Sequence, residues 1–451
     1  MFKKILVANR GEIACRIIRA CHELNVAAVA VCSEADEKAV YLQEADEVIF
    51  IGPGPSSLSY LNQDALLNAA QERECEAIHP GYGFLAENAL FATRCEQQKL
   101  TFIGPRPAHI RLMGDKATAR ETMRKVGLAV MPGSQEVLRS LEEAMLLAAE
   151  IGYPVLLKAT AGGGGKGMRL VHSAKEMKDN FLQGSGEAQK AFSNPDLYME
   201  KYVVNARHIE FQILADGYGN VIHLGERECS IQRKHQKLLE EAPAFGFSEK
   251  RRAEMGQKIC AALTSIGYLG AGTMEFLLSQ TEELYFMEMN TRIQVEHPVT
   301  ELVTGIDLVA WQIKIAAGEK LAFLQEQITW TGHAIECRLN AEDPNQDFKP
   351  SPGFITRFDM PEHSPQGPIR LDTHVTRDYQ IPPYYDSMIG KLIVHGNDRG
   401  DAIKRMQKAL GEIVIEGVST TLDLQRMIVG HPQFAIGGYD CGFLQRIKWQ
   451  K

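Results

Sequence analysis

Five polar side chains alternate with mostly apolar ones between residues 288 and 296. They are Glu288, Asn290, Arg292, Gln294 and Glu296. If this segment is extended, one face carries two carboxylates, two amides and a guanidinium, because neighbouring side chains of a strand point to opposite sides. Oxygen ligands suit Mg²⁺, a guanidinium binds oxyanions in a bidentate way, and a carboxylate is a general base where its surroundings favour proton uptake. A solvated edge strand is the alternative, but the lack of lysine on this face favours a site.

A second acidic segment lies just upstream. Residues 273–277 and 284–288 flank the polar stretch 279–283, a pattern that predicts a β-hairpin. The hairpin would bring Glu275 beside Glu288. With Asn290 these carboxylates predict a site for Mg²⁺ shared with a nucleotide phosphate.

Four consecutive glycines stand at 162–165, followed by Lys166-Gly167. The β-like segment after them argues against a dinucleotide-binding turn, and the missing Ser or Thr argues against a P-loop. A hairpin tip remains, whose N–H groups can close over phosphates while Lys158 and Lys166 supply charge. An ordinary mobile loop is the alternative, and the entropy that four glycines lose on ordering favours ligand closure.

Further candidates carry weaker signals. The cationic run 226–237 is either a solvated basic face or a phosphate or bicarbonate pocket, with Lys237 and His235 as donors. His208 alternates like a strand residue, which is more typical of a structural role. Arg338 ends a predicted strand, where a simple salt bridge is the alternative. The turn-rich segment 79–85 follows a strand, and its position suits the lining of a pocket at a sheet edge.

Composition excludes several classes of protein. The 451 residues are 45% hydrophobic and 24% charged, which is globular and not collagen-like, disordered or coiled-coil. The net charge of −8 argues against a nucleic-acid binder. Nine cysteines without a Cys-x-x-Cys spacing give no support for a zinc ribbon or a thioredoxin-type redox site and are typical of reduced cytosolic thiols. The apolar N-terminal run is too short for a signal peptide, and no run spans a membrane, so we expect a cytoplasmic protein.

The predicted elements divide the chain into regions. Strand–helix–strand alternation over about the first 110 residues predicts a parallel α/β domain. A small α+β module of about 70 residues follows from about residue 130. Further strands are predicted at 208–215, 221–224, 272–278 and 284–289. The part from about residue 332 is rich in Pro and Gly turns, with a helix at 401–410.

Over essentially its whole length the chain resembles biotin carboxylase, the ATP-grasp component of acetyl-CoA carboxylase and related biotin-dependent carboxylases. The most specific segments are 288–297 and 382–389 (Pro-Pro-Tyr-Tyr-Asp-Ser-Met-Ile), supported by 5–13, 79–83 and Lys158 with the glycine loop. The resemblance implies a fold of the α/β and α+β classes. Its parts would be a Rossmann-like N-terminal domain at 1–114, an ATP-grasp domain at 115–320 with a glycine-loop lid at about 131–203, and a biotin carboxylase C-terminal domain at 330–446.

The resemblance also implies roles for individual residues. The implied ATP-binding residues are Lys116, Lys158, Gly164, Gly165, Glu200, Lys201, Tyr202, Val203, His208, Gln232, His235, Glu275 and Glu288. Mg²⁺ or Mn²⁺ would be held by Glu275, Glu288 and Asn290, and bicarbonate by Lys237, Arg292, Gln294 and Val295. Catalysis would involve Glu296 as the base for bicarbonate, Arg338 as the stabiliser of the biotin enolate, and Lys237 and Arg292; biotin would contact Arg338 and Tyr82.

The implied reaction is the ATP- and bicarbonate-dependent carboxylation of biotin through carboxyphosphate. A region with Arg19, Glu23 and Arg370 resembles the family's dimer surface, which implies a homodimer. The sequence ends without a biotinylation signature or a carboxyltransferase segment, so we expect a separate biotin carboxyl carrier protein and carboxyltransferase subunits as partners, and neither nucleic acid nor a membrane. Another ATP-grasp ligase, of the purine or carbamoyl-phosphate type, and a non-catalytic nucleotide-sensing or scaffold subunit are the alternatives.

Overall fold

The N-terminal region folds around a parallel sheet. The computed structural model describes residues 1–134, 136–159, 168–192, 194–234, 236–364 and 367–447. The first five strands are β1 (Lys4–Val7), β2 (Ala27–Ser33), β3 (Glu47–Gly52), β4 (Ala77–His79) and β5 (Thr101–Phe102), and the helices are α1 (Gly11–Glu23), α2 (Tyr41–Glu44), α3 (Gln63–Glu72), α4 (Ala89–Gln97) and α5 (Pro107–Gly114). The strand order β3-β2-β1-β4-β5 is parallel throughout, which confirms the predicted α/β domain.

A smaller antiparallel sheet follows. Its elements are α6 (Lys116–Lys125), α7 (Leu141–Ile151), β6 (Val155–Ala159), β7 (Met168–Val171), α8 (Ala174–Phe192) and β8 (Leu197–Lys201). Strand β6 lies between β7 and β8, and Lys158 pairs with Met168. The predicted hairpin around the glycines is therefore confirmed, although residues 160–167, and with them Gly164 and Gly165, lie outside the described residues.

The rest of the chain forms longer antiparallel strands and their covering helices. The central elements are β9 (Arg207–Ala215), β10 (Val221–Arg233), β11 (Gln236–Ala242), α9 (Glu249–Ser265), β12 (Gly270–Leu278), β13 (Leu284–Asn290), α10 (His297–Thr304) and α11 (Leu308–Ala316). The C-terminal elements are β14 (His333–Asn340), β15 (Glu342–Asp343), β16 (Lys349–Pro350), β17 (Gly353–Phe354), β18 (Arg357–Asp359), β19 (Ile369–Thr373), β20 (Gln380–Ile381), β21 (Met388–Gly396), α12 (Arg399–Glu412), β22 (Val414–Glu416), α13 (Leu422–Gly430), α14 (Pro432–Ile436) and α15 (Phe443–Arg446).

One eight-stranded sheet unites the central and C-terminal regions. Its order is β13-β12-β9-β10-β11-β14-β21-β19, and β11 pairs with β14 from Leu239–Cys337 to Ala242–Ala334. The central and C-terminal regions therefore share one hydrogen-bonded sheet, although the sequence suggests a domain boundary between them at 320–330. The fold class is mixed α/β, with a parallel N-terminal sheet, this large antiparallel sheet and the small sheet β7-β6-β8, which we name the lid sheet after the lid expected from the sequence.

Tyr385 joins the C-terminal region to the N-terminal sheet. Its hydroxyl donates to the carbonyl of Gly54 at 2.5 Å and lies 2.6 Å from the hydroxyl of Ser33. Its ring lies under the Arg10 guanidinium, 4.2 Å from the centroid, and Arg10 forms a bidentate ion pair with Asp36. The segment 382–389 thus fixes two distant regions to each other.

The cationic run at 226–237 is mostly a buried strand and not a solvated face. Strand β10 extends to Arg233, nine residues beyond the predicted end at Leu224. Arg227 is fully buried, with Glu226 and Glu228 on either side of it also buried. Of the two interpretations given for this run, the solvated basic face is wrong for Arg227 and Lys237, whose charges are neutralised by the buried Glu210. It holds for Lys234, which is exposed and pairs with the exposed Asp347.

None of the helices in the described parts of the chain combines the length and the apolar character that a membrane span requires.

Candidate active site

Two carboxylates meet across the β12–β13 hairpin. Glu275 lies directly opposite Glu288 in the strand register, so the hairpin predicted from the sequence is confirmed. Asn290, the last residue of β13, donates from Nδ2 to Glu275 Oε1 at 2.8 Å. The Nζ of Lys116, at the start of α6, lies 2.7 Å from Glu288 Oε2. The carboxylate and amide oxygens of the hairpin, which can act as metal ligands, therefore lie at the same end as one ammonium group.

The extended segment predicted for 288–296 is wrong beyond Asn290. The backbone turns through residues 291–296, and Glu296 is the N-cap residue of α10, whose first turn contains Pro298. The turn nevertheless delivers side chains to the same place, since Gln294 Nε2 donates to Glu275 Oε1 at 2.9 Å. The carbonyl of Val295 accepts from Lys391 Nζ at 2.5 Å.

Lys237 of β11 is the centre of the ionic cluster. Its Nζ lies 2.5 Å from Glu210 Oε2, 2.9 Å from Glu275 Oε1 and 2.6 Å from Glu296 Oε1. Burial disfavours the ammonium, but the three carboxylates outweigh that effect and hold the pKa of Lys237 well above its ordinary value. Lys237 is therefore a fixed cation at neutral pH.

Glu296 is a carboxylate in this arrangement. Burial alone would raise its pKa, but Lys237, Arg338 and Arg227 outweigh burial and hold the pKa of Glu296 well below its usual range. The pKa of Glu275 is lowered in the same way, against burial, by Lys237 and His208. The surroundings of Glu296 thus favour the ionised form and disfavour proton uptake, which is the opposite of the condition stated for a general base.

Arg338 of β14 closes the cluster from the C-terminal region. Its Nε donates to Glu240 Oε1 at 2.7 Å, and one terminal nitrogen lies 3.0 Å from Glu296 Oε2. The salt bridge expected as the simple alternative is present, and it places the guanidinium on the same carboxylate that Lys237 contacts. Arg338 and Lys237 therefore flank Glu296.

The N-terminal region contributes two contacts at the edge of this cluster. Arg292 Nε donates to Glu87 Oε2 at 2.9 Å, and an Arg292 terminal nitrogen donates to Asn290 Oδ1 at 3.0 Å. The hydroxyl of Tyr82 donates to Glu12, which also lies 3.2 Å from Lys391 Nζ. Arg292 and Tyr82 are thus held beside the cluster by acids of the first domain.

Helix α6 joins the lid sheet to the β12–β13 hairpin. Arg120, one turn beyond Lys116, forms an ion pair with Glu200 of β8. Lys158 of β6 contacts the same carboxylate, and Glu200 is buried. Helix α6 and Glu200 thus connect Lys158 to Lys116 and to the hairpin carboxylate Glu288.

The other implied nucleotide residues are more scattered. Lys201 donates from Nζ to the carbonyls of Gly152 and Tyr153, so its ammonium is used within the lid. Tyr202 is exposed and Val203 is half-buried, in the segment that leads from the lid into β9. His235 lies outside the described residues.

His208 and Gln232 lie on adjacent strands. His208 Nε2 is 3.2 Å from Glu275 Oε2, and its Nδ1 is 3.5 Å from Gln232 Nε2. Although a structural role was the preferred interpretation for His208, its ring contacts the hairpin acid. This contact follows from the pairing of β9 with β12, which no local pattern reveals.

Sequence reasoning missed the residues that support the cluster from below. Arg227 donates to Glu210 at 2.6 Å and to the side-chain oxygens of Gln212 and Gln294, each at 2.8 Å. The other missed residues are Glu87, Arg120, Glu210, Glu240, Glu336 and Lys391. For the missed residues on strands, the usable signal was charge within otherwise apolar segments, because a buried charge requires a partner. Glu87 lies in a turn and Arg120 on α6, so this signal does not mark them.

The donor set fits a hard divalent cation. Glu275, Glu288 and Asn290 offer two carboxylates and an amide oxygen, the ligands that Mg²⁺ and Mn²⁺ take. The carboxylate of Glu275 is ionised, as a ligand must be. Oxygen atoms of Glu275 and Glu210 also lie within 4.8 Å of a nitrogen of His208, which widens the set around Glu275.

Three family models together match nearly all of the chain. They are the biotin carboxylase N-terminal domain at residues 1–110, the carbamoyl-phosphate synthase L chain ATP-binding domain at 115–324, and the biotin carboxylase C-terminal domain at 336–446. The architecture and the family models are those of an ATP-dependent ligase.

Relatives agree over the full length. A biotin carboxylase from Nostoc sp. is 56% identical over 447 residues, 99% of each chain. The biotin carboxylase domain dimer of Hydrogenobacter thermophilus 2-oxoglutarate carboxylase, in complex with MgADP, ADP and bicarbonate, superposes with a TM-score of 0.92 at 50% identity, covering 99% of this chain and 97% of that one. A biotin carboxylase from Campylobacter jejuni, in complex with a β,γ-ATP compound, gives a TM-score of 0.92 at 48% identity, covering 99% of each chain. This chain belongs to the biotin carboxylase family.

Proposed function

We propose that this protein carboxylates biotin on a separate biotin carboxyl carrier protein, consuming ATP and bicarbonate. This is the first half-reaction of an acetyl-CoA carboxylase or of a related carboxylase. The observation that carries this proposal is the contact of Lys237 and Arg338 with the two oxygens of Glu296, beside the Glu275–Glu288 pair. One cluster of side chains thus contains two cations that can bind anionic substrates, the carboxylate of Glu296, and the acidic pair proposed to bind the metal.

ATP binds between the lid sheet and the large sheet. Lys116 and Lys158 face the phosphates, and the hairpin carboxylates lie on the opposite wall. With Asn290, Glu275 and Glu288 hold Mg²⁺ or Mn²⁺, which neutralises charge on the transferring phosphoryl group. The other members of the set that the family resemblance implies are Gly164, Gly165, Glu200, Lys201, Tyr202, Val203, His208, Gln232 and His235. The bound MgADP of the Hydrogenobacter structure supports this assignment.

Bicarbonate binds to Lys237, Arg292, Gln294 and the backbone at Val295. The negative charge of a bicarbonate bound to Lys237 offsets part of the positive charge that keeps Glu296 ionised. The pKa of Glu296 therefore rises towards the value that a proton acceptor needs. Glu296 then takes the bicarbonate proton as the oxygen attacks the γ-phosphate, giving carboxyphosphate and ADP. Arg292 and Lys237 stabilise the charge that develops in this step.

The second step transfers CO₂ to biotin. Carboxyphosphate breaks its C–O bond to give CO₂ and phosphate, and phosphate removes the ureido N–H proton of biotin. The resulting nitrogen anion of biotin, drawn as the enolate, forms the new N–C bond with CO₂. Arg338 stabilises that anion, and Tyr82 borders the biotin side of the cleft. A closed lid keeps water from the labile intermediate.

The assembly follows the relatives. The Hydrogenobacter protein is a domain dimer, and we infer a homodimer here. Of the residues expected at its contact surface, Glu23 is exposed and Arg19 is half-buried, whereas Arg370 is buried in ion pairs with Glu301 and Asp372. Carboxyltransferase subunits would then pass the carboxyl group to an acyl-CoA or a keto acid, such as the 2-oxoglutarate of the Hydrogenobacter enzyme's name. A cytoplasmic location stays a prediction.

ADP release with bicarbonate, with and without free biotin, tests this function. We expect ADP release that depends on bicarbonate and is accelerated by biotin. Bicarbonate-dependent release that biotin does not change would indicate another ATP-grasp ligase. The absence of any ADP release would indicate a non-catalytic subunit. Glu296→Gln is expected to lower turnover by at least about a hundredfold while the nucleotide still binds. Unchanged turnover in Glu296→Gln would remove this carboxylate from the mechanism.

A further inference from the structure

Two carboxyl groups face each other beside Arg338 on the large sheet. Glu240 of β11 lies directly opposite Glu336 of β14, and both side chains are fully buried. Cβ atoms of such cross-strand pairs are about 5 Å apart. Arg338 is two residues beyond Glu336 and projects from the same face. The sheet therefore packs two acids against one guanidinium.

Hydrogen bonds account for only one of the four carboxyl oxygens. Glu240 Oε1 accepts from Arg338 Nε at 2.7 Å. Glu240 Oε2 and both oxygens of Glu336 have no hydrogen-bond partner in the part of the chain that is described. Two ionised carboxylates left in this state would be costly, because neither burial nor mutual repulsion is compensated. A single proton shared by the pair supplies a donor and removes one charge.

The neighbouring cations are already shared with other acids. The charged groups around the pair are Arg338 on β14, Lys237 on β11, Lys391 on β21 and Glu296 at the start of α10. Lys237 contacts three other carboxylates, and Lys391 contacts Glu12 and the carbonyl of Val295. Among the described residues, the side chain that donates a hydrogen bond to Glu240 is Arg338, and its guanidinium also donates to Glu296.

The electrostatics agree with this geometry. Burial raises the pKa of Glu240 to about 7, against the opposing pull of Arg338. Burial likewise raises the pKa of Glu336 well above its ordinary value, with Lys391 opposing and Glu240 reinforcing the shift. The two groups interact, so the loss of a proton belongs to the pair and not to either carboxyl group alone.

We propose that Glu240 is a positioning residue for Arg338, and that Glu240 and Glu336 share one proton whose loss tightens the hold of Glu240 on the guanidinium. This inference rests on the proposed function, in which Arg338 stabilises the biotin anion. While the proton is present, Arg338 is oriented by a neutral or partly neutral acceptor and keeps its charge for the substrate. Without it, the guanidinium is neutralised from behind, and the biotin step slows as pH rises.

The pH dependence of kcat/KM for biotin tests the proposal. Glu240→Gln keeps a carbonyl acceptor for Arg338 but cannot lose the proton, whereas Glu240→Ala removes the acceptor. At every pH between about 6 and 9, the kcat/KM of each variant is divided by the wild-type value. This ratio cancels the effect of the titration of bicarbonate and phosphate. We expect the Glu240→Gln ratio to rise by at least about fivefold towards alkaline pH, and Glu240→Ala to be at least about tenfold below wild type at every pH. A constant Glu240→Gln ratio, or an alanine variant equal to wild type, would overturn the proposal.

A spectroscopic test does not need turnover. Infrared difference spectra between about pH 6 and pH 9 detect the C=O stretch of a protonated carboxyl group. We expect a band in the wild type that is lost in both Glu240→Gln and Glu336→Gln. It should persist in Glu342→Gln, a matched control that is also buried but bonded to Ser387. Retention of the band in both test variants would refute the shared proton. The infrared result does not depend on turnover. If biotin fails to stimulate ADP release, the proposed function is refuted and the shared proton is not.

Discussion

Lys237→Met removes the cation that three buried carboxylates share. The wild-type ammonium lies 2.5, 2.9 and 2.6 Å from oxygens of Glu210, Glu275 and Glu296. At an effective dielectric constant of about 20, unit charges about 4 Å apart attract by roughly 4 kcal/mol. Protonation of a stranded carboxyl group limits the loss, so we expect the free energy of unfolding to fall by about 3–5 kcal/mol near pH 8. ADP release should be abolished in the same variant.

The loss of stability is expected to depend on pH. In the wild type the pKa values of Glu275 and Glu296 are depressed, so their favourable contribution is present above the unfolded pKa of about 4.3 and disappears as pH falls through the folded values. In Lys237→Met, burial and mutual repulsion raise these pKa values. The carboxyl groups then stabilise the fold only when they are neutral, and that contribution is lost as pH rises. The difference between the two proteins is therefore larger near pH 8 than near pH 5.

Equilibrium urea unfolding followed by tryptophan fluorescence, to which Trp311 and Trp330 contribute, measures this difference. The matched control is Lys234→Met, on the same β10–β11 hairpin, because Lys234 is largely exposed and its ion pair within the described residues is with the exposed Asp347. We expect the control to unfold at the wild-type urea concentration. The reasoning is refuted if Lys237→Met costs less than about 1 kcal/mol near pH 8, or if its cost is the same near pH 5.

Two further predictions test the contacts between regions. Glu87→Gln weakens the 2.9 Å contact with Arg292, so the KM for bicarbonate should rise about three- to fivefold with kcat within about twofold, as steady-state ADP release would show; an unchanged KM would contradict a role for Glu87 in holding Arg292. Tyr385→Phe deletes the hydroxyl bonds to Gly54 and Ser33, so the unfolding midpoint in calorimetry should fall by about 2–4 °C, whereas Tyr384→Phe at the half-exposed neighbouring position should not change it; equal midpoints for the two variants would exclude this contact as a stabilising one.

Local patterns predicted the elements that depend on short-range order. The β12–β13 hairpin follows from alternating apolar residues on either side of a polar turn, and the structure pairs Glu275 with Glu288 as expected. The same alternation failed after Asn290, because period-two polarity does not force a strand where Pro298 favours the first turn of a helix. The side chains of the turn reach the cluster by reversing direction and not by sharing one face of a strand.

The buried charges could not be predicted from local sequence. Arg227 reads as part of a basic run, but its partners Glu210 and Gln294 come from a neighbouring strand and from the turn before α10, 17 and 67 residues away. Likewise the pairing of Glu240 with Glu336 joins strands separated by about ninety residues, and nothing in either strand specifies the other. Charge within apolar strands signals that partners exist, whereas the register of the sheet decides which they are.

The seam between β11 and β14 limits how the chain can be divided by protein engineering. A fragment that stops near residue 325 would expose the backbone of β11 together with Glu240 and Glu241, which are fully buried in the intact protein. Such an open edge with unpaired acids is expected to aggregate or to remain unfolded. Chimaeras built from two related sequences should therefore exchange residues 207–396 as one block, since a crossover inside it would force strands from different parents to share one register.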